Sequence, residues 1–191
     1  VCCDASAQSV FVLGPRQTGK STLMRSLGAD LVVDLASNEA TFLDFASNPR
    51  ELEERMRARL PRTVLIDEIQ RLPSLLNTVQ SLLDDAKIQG QQVPRFLLTG
   101  SSARKLRRGG ANLLPGRVFT YHLGPLTSAE LDRRVDTALA MAVGTLPEPY
   151  LEHPPAEKQK LLRSYAGSYL REEVQAEALT RSLESFSRFP D

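Results

Sequence analysis

An α/β fold, a parallel β-sheet with crossover helices, is what this sequence predicts, and three observations carry it. Short apolar runs rich in β-branched and aromatic residues alternate with longer stretches of helical periodicity, the pattern of strands joined by helical crossovers. The runs are apolar nearly throughout, as strands covered on both faces are. A glycine-rich segment joins the first run to the first helical stretch. At 191 residues the chain has room for one such domain and a little more.

Five runs are the predicted strands: Ser9–Leu13 (SVFVL), Leu31–Asp34 (LVVD), Thr63–Asp67 (TVLID), Arg95–Thr99 (RFLLT) and Arg117–His122 (RVFTYH). Lys20–Leu27, Asn38–Ala46, Arg50–Leu60 and Pro73–Gln89 read as the helices between them. In the last, Leu75, Leu76, Val79, Leu82 and Leu83 recur on one face, and Pro73 suits a first helical turn. Thr127–Val143 is expected to be helical. Leu146–Pro155 (LPEPYLEHPP) is expected to be a linker, because proline cannot continue a helix. Helical periodicity returns from Ala156 to about Phe186, with Leu161, Leu162, Tyr165, Tyr169, Val174 and Leu179 apolar. The expected organisation is therefore a domain over 1–143, a proline-rich linker over 144–155, and a helical segment over 156–191 that opens a truncated C-terminal region.

Composition narrows the function classes. The net charge of +1 is too even for bulk electrostatics to argue for nucleic acid. Cys2 and Cys3 are the only cysteines and are adjacent, so they offer neither a zinc spacing nor a disulfide framework. No apolar run approaches the roughly 20 residues a membrane span needs, and a cytoplasmic protein without a membrane segment is expected.

The chemistry begins in the loop after the first strand. Gly14-Pro15-Arg16-Gln17-Thr18-Gly19-Lys20-Ser21 has glycine, four residues, glycine, lysine and serine between a strand and a helix, the arrangement of a phosphate-binding loop. The glycines permit unusual backbone angles, so successive N–H groups can face one anion while the following helix dipole favours negative charge. Lys20 is expected at the β- and γ-phosphates, Ser21 at Mg²⁺ and Thr22 at the α-phosphate.

The third strand, Val64-Leu65-Ile66-Asp67-Glu68, ends in two carboxylates with different expected roles. Asp67 would hold Mg²⁺ through hard oxygen and its water shell; Glu68 would orient or deprotonate the attacking water. The fourth strand ends Thr99-Gly100-Ser101-Ser102. In a P-loop fold it lies between the first and third strands, so Thr99 or Ser101 would reach the γ-phosphate or the lytic water. The same letters also fit a strand-to-helix turn with Ser101 or Ser102 as the helix cap. Arg104, Lys105, Arg107 and Arg108, followed by Gly109-Gly110, form a basic cluster that suits DNA phosphates, a neighbouring subunit, the nucleotide, or a solvated face. No aromatic residue interleaves with it, which argues against base stacking.

Together, GPRQTGKST, VLIDEIQRLP and FLLTGSSARKLRRG resemble the AAA-type ATPase domain of the AAA+ superfamily, over about residues 6–135 and more weakly to Tyr169-Leu170-Arg171-Glu172-Glu173. The resemblance implies a three-layer P-loop NTPase with a five-stranded parallel sheet of order 5-1-4-3-2, ATP as the nucleotide, a polar sensor at Thr99 or Ser101, and a further C-terminal domain after the ATPase domain. Leu113-Leu114-Pro115-Gly116-Arg117 is similar to the segment in which many AAA+ proteins carry an arginine finger. Arg117 is thus a candidate γ-phosphate contact supplied in trans within a homo-oligomer; alternatively it opens the fifth strand and pairs locally.

The expected activity is ATP binding and hydrolysis with Mg²⁺, by Lys20, Glu68, Thr99 or Ser101, and Arg117, driving a switch or motor. DNA or a protein is the expected partner, through the further C-terminal domain. Two alternatives stand: a regulatory nucleotide-binding module with negligible hydrolysis, against which Glu68 argues, and a small-molecule kinase, in which Arg104–Arg108 would have to form a lid.

Overall fold

The computed structural model describes residues 8–101, 103–108, 112–152 and 154–169. Cys2, Cys3, Gly109-Gly110, the Leu170–Glu173 stretch and the rest of 170–191 lie outside the described residues, as do the side chains of Arg104, Lys105, Arg108 and Tyr169.

β1 (Val10–Leu13) is apolar and buried at every position. α1 (Lys20–Ser26), β2 (Leu31–Asp34), α2 (Glu39–Ser47) and α3 (Glu51–Arg59) follow, then β3 (Thr63–Asp67), a short 3₁₀ turn (Ile69–Arg71) and α4 (Leu75–Gln89). β4 (Arg95–Gly100), α5 (Ala103–Arg108) and β5 (Phe119–His122) complete the sheet. Local chemistry sets several ends. Asn38 caps α2 by accepting the Thr41 N–H at 3.0 Å, which relieves one of the unpaired amides of a first helical turn, and Gly90 closes α4 at φ 63°.

All five strands are parallel, in the order β2-β3-β4-β1-β5. Read from the other edge this is 5-1-4-3-2, the order the resemblance implied. Successive side chains of a strand point to opposite faces, and both faces are covered. Phe11 and Leu13 of β1, Val64 and Ile66 of β3 and Phe96 and Leu98 of β4 share one core with Phe45 of α2, Leu52 of α3, Leu75, Leu76 and Val79 of α4 and Leu106 of α5. Val10, Val12, Leu65 and Leu97 face the other way, onto Met24 of α1. The result is the expected three layers, with each fully buried Leu, Val or Phe contributing about 1.5–3 kcal/mol.

The chain divides into two units after Leu123. In the second unit, α6 (Thr137–Val143), α7 (Pro147–Leu151) and α8 (Pro155–Tyr169) pack together. The Asp136 N–H donates to Tyr150 Oη at 3.0 Å, and the buried Lys158 ammonium donates to the Tyr150 carbonyl at 2.7 Å.

Three expectations are corrected here. Thr127–Val143 is not one helix: Thr127 and Glu130 cap a single turn reciprocally, Asp132 and Arg133 then adopt left-handed angles of 50° and 59°, and Asp136 starts α6 afresh by accepting the Leu139 N–H. Leu146–Pro155 is not all linker. Proline cannot continue a helix but is well placed to begin one, where its missing N–H costs nothing, and Pro147 stands in the first turn of α7 as Pro155 does in α8. β5 is also shorter than expected, because the Arg117 N–H bonds the Leu114 carbonyl at 3.0 Å, in a turn in which Leu114 and Gly116 both have positive φ.

Candidate nucleotide site

Parallel strands bring their carboxyl ends to one edge of a sheet, where α/β folds place their ligands. At that edge β1 runs into the glycine-rich loop. Gly14 donates its N–H to the Gly100 carbonyl at 3.2 Å. A Cβ there would sit 2.0 Å from the Leu123 carbonyl oxygen, so the position admits only glycine. Gln17 (φ 62°) and Gly19 (φ 85°) turn the chain through left-handed angles into α1, and Gly19 supplies no side-chain cap to the helix amides. Thr18 Oγ1 and Lys20 Nζ both donate to the Pro15 carbonyl, at 2.9 and 2.6 Å. Both side chains are buried, while Pro15 and Gln17 are exposed, as is Thr22 in the first turn of α1; Arg16 is half-buried.

The tips of β3 and β4 meet the start of α1 in one hydrogen-bonded network. Ser21 Oγ donates to Asp67 Oδ1 at 2.7 Å, and Thr99 Oγ1 donates to the same oxygen at 2.5 Å. Thr99 Oγ1 in turn accepts the Glu68 N–H at 2.9 Å. Thr99 is fully buried and Asp67 is 3% exposed, so these bonds form where an unpaired polar atom would be expensive. Glu68 itself adopts a left-handed backbone, φ 57°, which turns the chain out of β3 as soon as the strand ends.

Three residues not picked out from the sequence belong to this network. Gln70, in the 3₁₀ turn, donates from Nε2 to Glu68 Oε2 and accepts the Ser101 N–H on Oε1 at 3.1 Å. Arg25 of α1 reaches Asp34 Oδ2 at 2.5 Å and Asp67 Oδ2 at 3.3 Å. Burial pushes the Asp34 carboxyl up, but the Ser37 N–H and the Arg25 guanidinium outweigh it and hold the group below its ordinary value. The adjacent Asp34 and Asp67, paired in register on β2 and β3, thus share one cation. An Asp at the end of the second strand beside one at the end of the third was the available sequence signal.

The donor set suits a magnesium nucleotide. Ser21 Oγ and Asp67 are hard oxygen donors side by side, the kind Mg²⁺ takes. Ser101 Oγ is buried and has no hydrogen-bond partner among the described residues; a hydroxyl so placed costs roughly 1–3 kcal/mol until an acceptor reaches it, and a phosphate oxygen is such an acceptor.

The structure therefore brings together Gly14 to Thr22, Asp67, Glu68, Thr99 and Ser101. Arg117 stands elsewhere. It precedes β5, whose Phe119 aligns with Val10 at the amino end of β1, the edge opposite the loop. There Nε and the Nη2 nitrogen grip Asp84 of α4 at 2.7 and 2.8 Å. The bond to Asp84 holds Arg117 above its ordinary pKa, and Arg117 holds Asp84 below its own.

The family comparison agrees with this frame. A family model described as an AAA domain matches residues 6–131. An uncharacterized protein of Mycobacterium bovis and one of Mycobacterium tuberculosis are each 35% identical to the chain over 126 residues, which is 63% of this chain and 26% of either relative. The chain thus spans about a quarter of the length of these relatives. Among solved structures, AMPPCP-bound DnaA from Aquifex aeolicus aligns with a TM-score of 0.44 at 15% identity, over 95% of this chain and 60% of that one. A katanin structure aligns at 0.42 and 19% identity, over 86% and 59%.

Proposed function

The chain belongs to the AAA domain family, and from that premise we propose that it binds ATP with Mg²⁺ on the loop Gly14–Thr22 and hydrolyses it to ADP and phosphate. The observation that carries the reading is the continuous path from Ser21 through Asp67 and Thr99 to Glu68. It joins the phosphate loop to the backbone of Glu68, a residue whose carboxylate a pure nucleotide binder has no need of.

In this reading the loop amides and the Lys20 ammonium bind the phosphates, with Lys20 leaving the Pro15 carbonyl for them. Ser21 and Asp67 hold the metal, which when bound neutralises charge on the β- and γ-phosphate oxygens. Glu68 orients the attacking water and takes its proton. Ser101, with Thr99 behind it, senses the γ-phosphate from the tip of β4. Arg117 serves a neighbouring copy in a homo-oligomer, since its own loop lies at the other edge of the sheet. The first unit, through Leu123, carries the ATPase site, and turnover acts as a switch or motor on DNA or a protein in the cytoplasm. No helix among the described residues is long and apolar enough to cross a membrane.

The test is nucleotide binding and phosphate release with ATP and GTP, on the wild-type chain and on Lys20→Ala and Glu68→Gln. Lys20→Ala is expected to weaken ATP binding by about ten-fold or more. Glu68→Gln should keep binding and lose about 10²–10⁴-fold in turnover. Unchanged ATP binding in Lys20→Ala would remove the basis of the proposal. Binding without turnover in the wild type would favour a regulatory module, and phosphate transfer only to an added acceptor would favour a kinase.

A further inference from the structure

We propose that Gln70 is a positioning residue for Glu68, setting the direction of its carboxylate from the tip of β4; this rests on the hydrolytic reading above. The Thr99 hydroxyl holds the Glu68 N–H and so fixes the backbone, but a glutamate side chain keeps its own torsional freedom, and a base that wanders is not within reach of its proton. Gln70 supplies the missing restraint. Its amide Nε2 donates to Glu68 Oε2 while its Oε1 accepts the Ser101 N–H, so one planar group ties the carboxylate to the strand that carries the γ-phosphate sensor.

The restraint is itself anchored on both sides. Ile69 is fully buried in the core. Arg71 donates its N–H to the Glu68 carbonyl at 3.0 Å and its Nη1 hydrogens to the Leu35 and Ala36 carbonyls at 2.7 and 2.9 Å. Gln70 thus stands on a short turn pinned to β3 and to the loop after β2. Gly100 completes the fit, because a Cβ there would approach Gln70 Oε1 to 3.2 Å; the amide lies directly against the strand tip. A side-chain amide both donates and accepts through one rigid planar group, and Asn is a methylene shorter. With Oε2 held by Gln70, Oε1 is the oxygen that serves the water. A shift of the β4 tip when Ser101 meets the γ-phosphate is passed to the base through two hydrogen bonds.

The experiment measures ATP dissociation constants, melting temperatures and kcat for wild type, Gln70→Met, Gln70→Glu, Glu68→Gln and the double variant Gln70→Met with Glu68→Gln. Gln70→Glu keeps the shape and the acceptor for the Ser101 N–H but cannot donate to Glu68 and sets a like charge beside it, so it breaks the clamp by a second route if Gln70→Met folds poorly. Both Gln70 variants are expected to lose at least about ten-fold in kcat with ATP affinity within about two-fold of wild type. In the Glu68→Gln background, Gln70→Met is expected to cost nothing further, because it acts through Glu68. Wild-type kcat in Gln70→Glu, or losses that multiply in the double variant, would overturn the assignment while leaving the hydrolytic reading intact. A wild-type chain that binds ATP and never turns it over would overturn both.

Discussion

At the scale of single residues, the site rests on a few positions where the backbone leaves no choice. Gly14 is the clearest: its φ of 156° and the 2.0 Å approach of a Cβ to the Leu123 carbonyl make any side chain a clash with main chain, which cannot swing away. Gly14→Ala is expected to cost about 2–3 kcal/mol and to lower the melting temperature by roughly 4–12 °C, with ATP affinity falling alongside. A variant that melts and binds like wild type would show that the loop can relax around the methyl. The loop residues, Asp67 and Glu68 were legible in the sequence because their chemistry is local: a lysine and a serine after a glycine turn, two carboxylates at a strand end. Gln70, Arg25 and Asp34 were not. The Gln70 bond to Ser101 spans 31 residues and the Arg25 bond to Asp67 spans 42, and nothing near either residue in the chain announces such a partner.

At the scale of elements, the tips of β3 and β4 act as one unit, and Thr99 is what joins them. Its hydroxyl, fully buried, donates to Asp67 and accepts from the Glu68 N–H. Thr99→Val keeps the shape and removes both bonds, leaving a carboxylate oxygen and an amide short of partners. The expected cost is about 1–3 kcal/mol, read as a lower urea midpoint, together with weaker Mg²⁺-dependent ATP binding. Thr99→Ser retains the hydroxyl and should recover most of both; failure of serine to do so would mean that the methyl packing, and not the hydrogen bonds, matters. Element boundaries show the same division between local and distant causes. β2 and β3 fall where their sequence predicts, whereas α7 and the break at Asp132 and Arg133 departed from expectation, because proline position and left-handed angles are resolved by the turns around them.

At the scale of the whole molecule, Arg117 is the residue that tests whether one chain is sufficient. It sits at the sheet edge away from its own loop, in a half-buried pair with both oxygens of Asp84 that solvent still screens. If it acts on a neighbour's nucleotide, Arg117→Ala should lower the ATPase rate per chain while leaving ATP affinity and melting temperature near wild type, and wild-type activity should rise with protein concentration as copies assemble. A rate unchanged by the substitution at every concentration would leave Arg117 a partner of α4 alone. By itself the sequence determined the α/β class, the five strands and the glycine-rich loop between β1 and α1, since each is written in residues within a few positions of one another: periodicity, apolar runs and glycine placement. The strand order came from resemblance, because nothing local says which strand lies beside which. Only the tertiary structure decided that β3 and β4 would present Asp67, Glu68, Gln70, Thr99 and Ser101 to one another, and that Arg117 would face the opposite edge. Hydrogen bonds act over about 3 Å, and which residues come that close is set by the packing of the sheet between its two layers of helices.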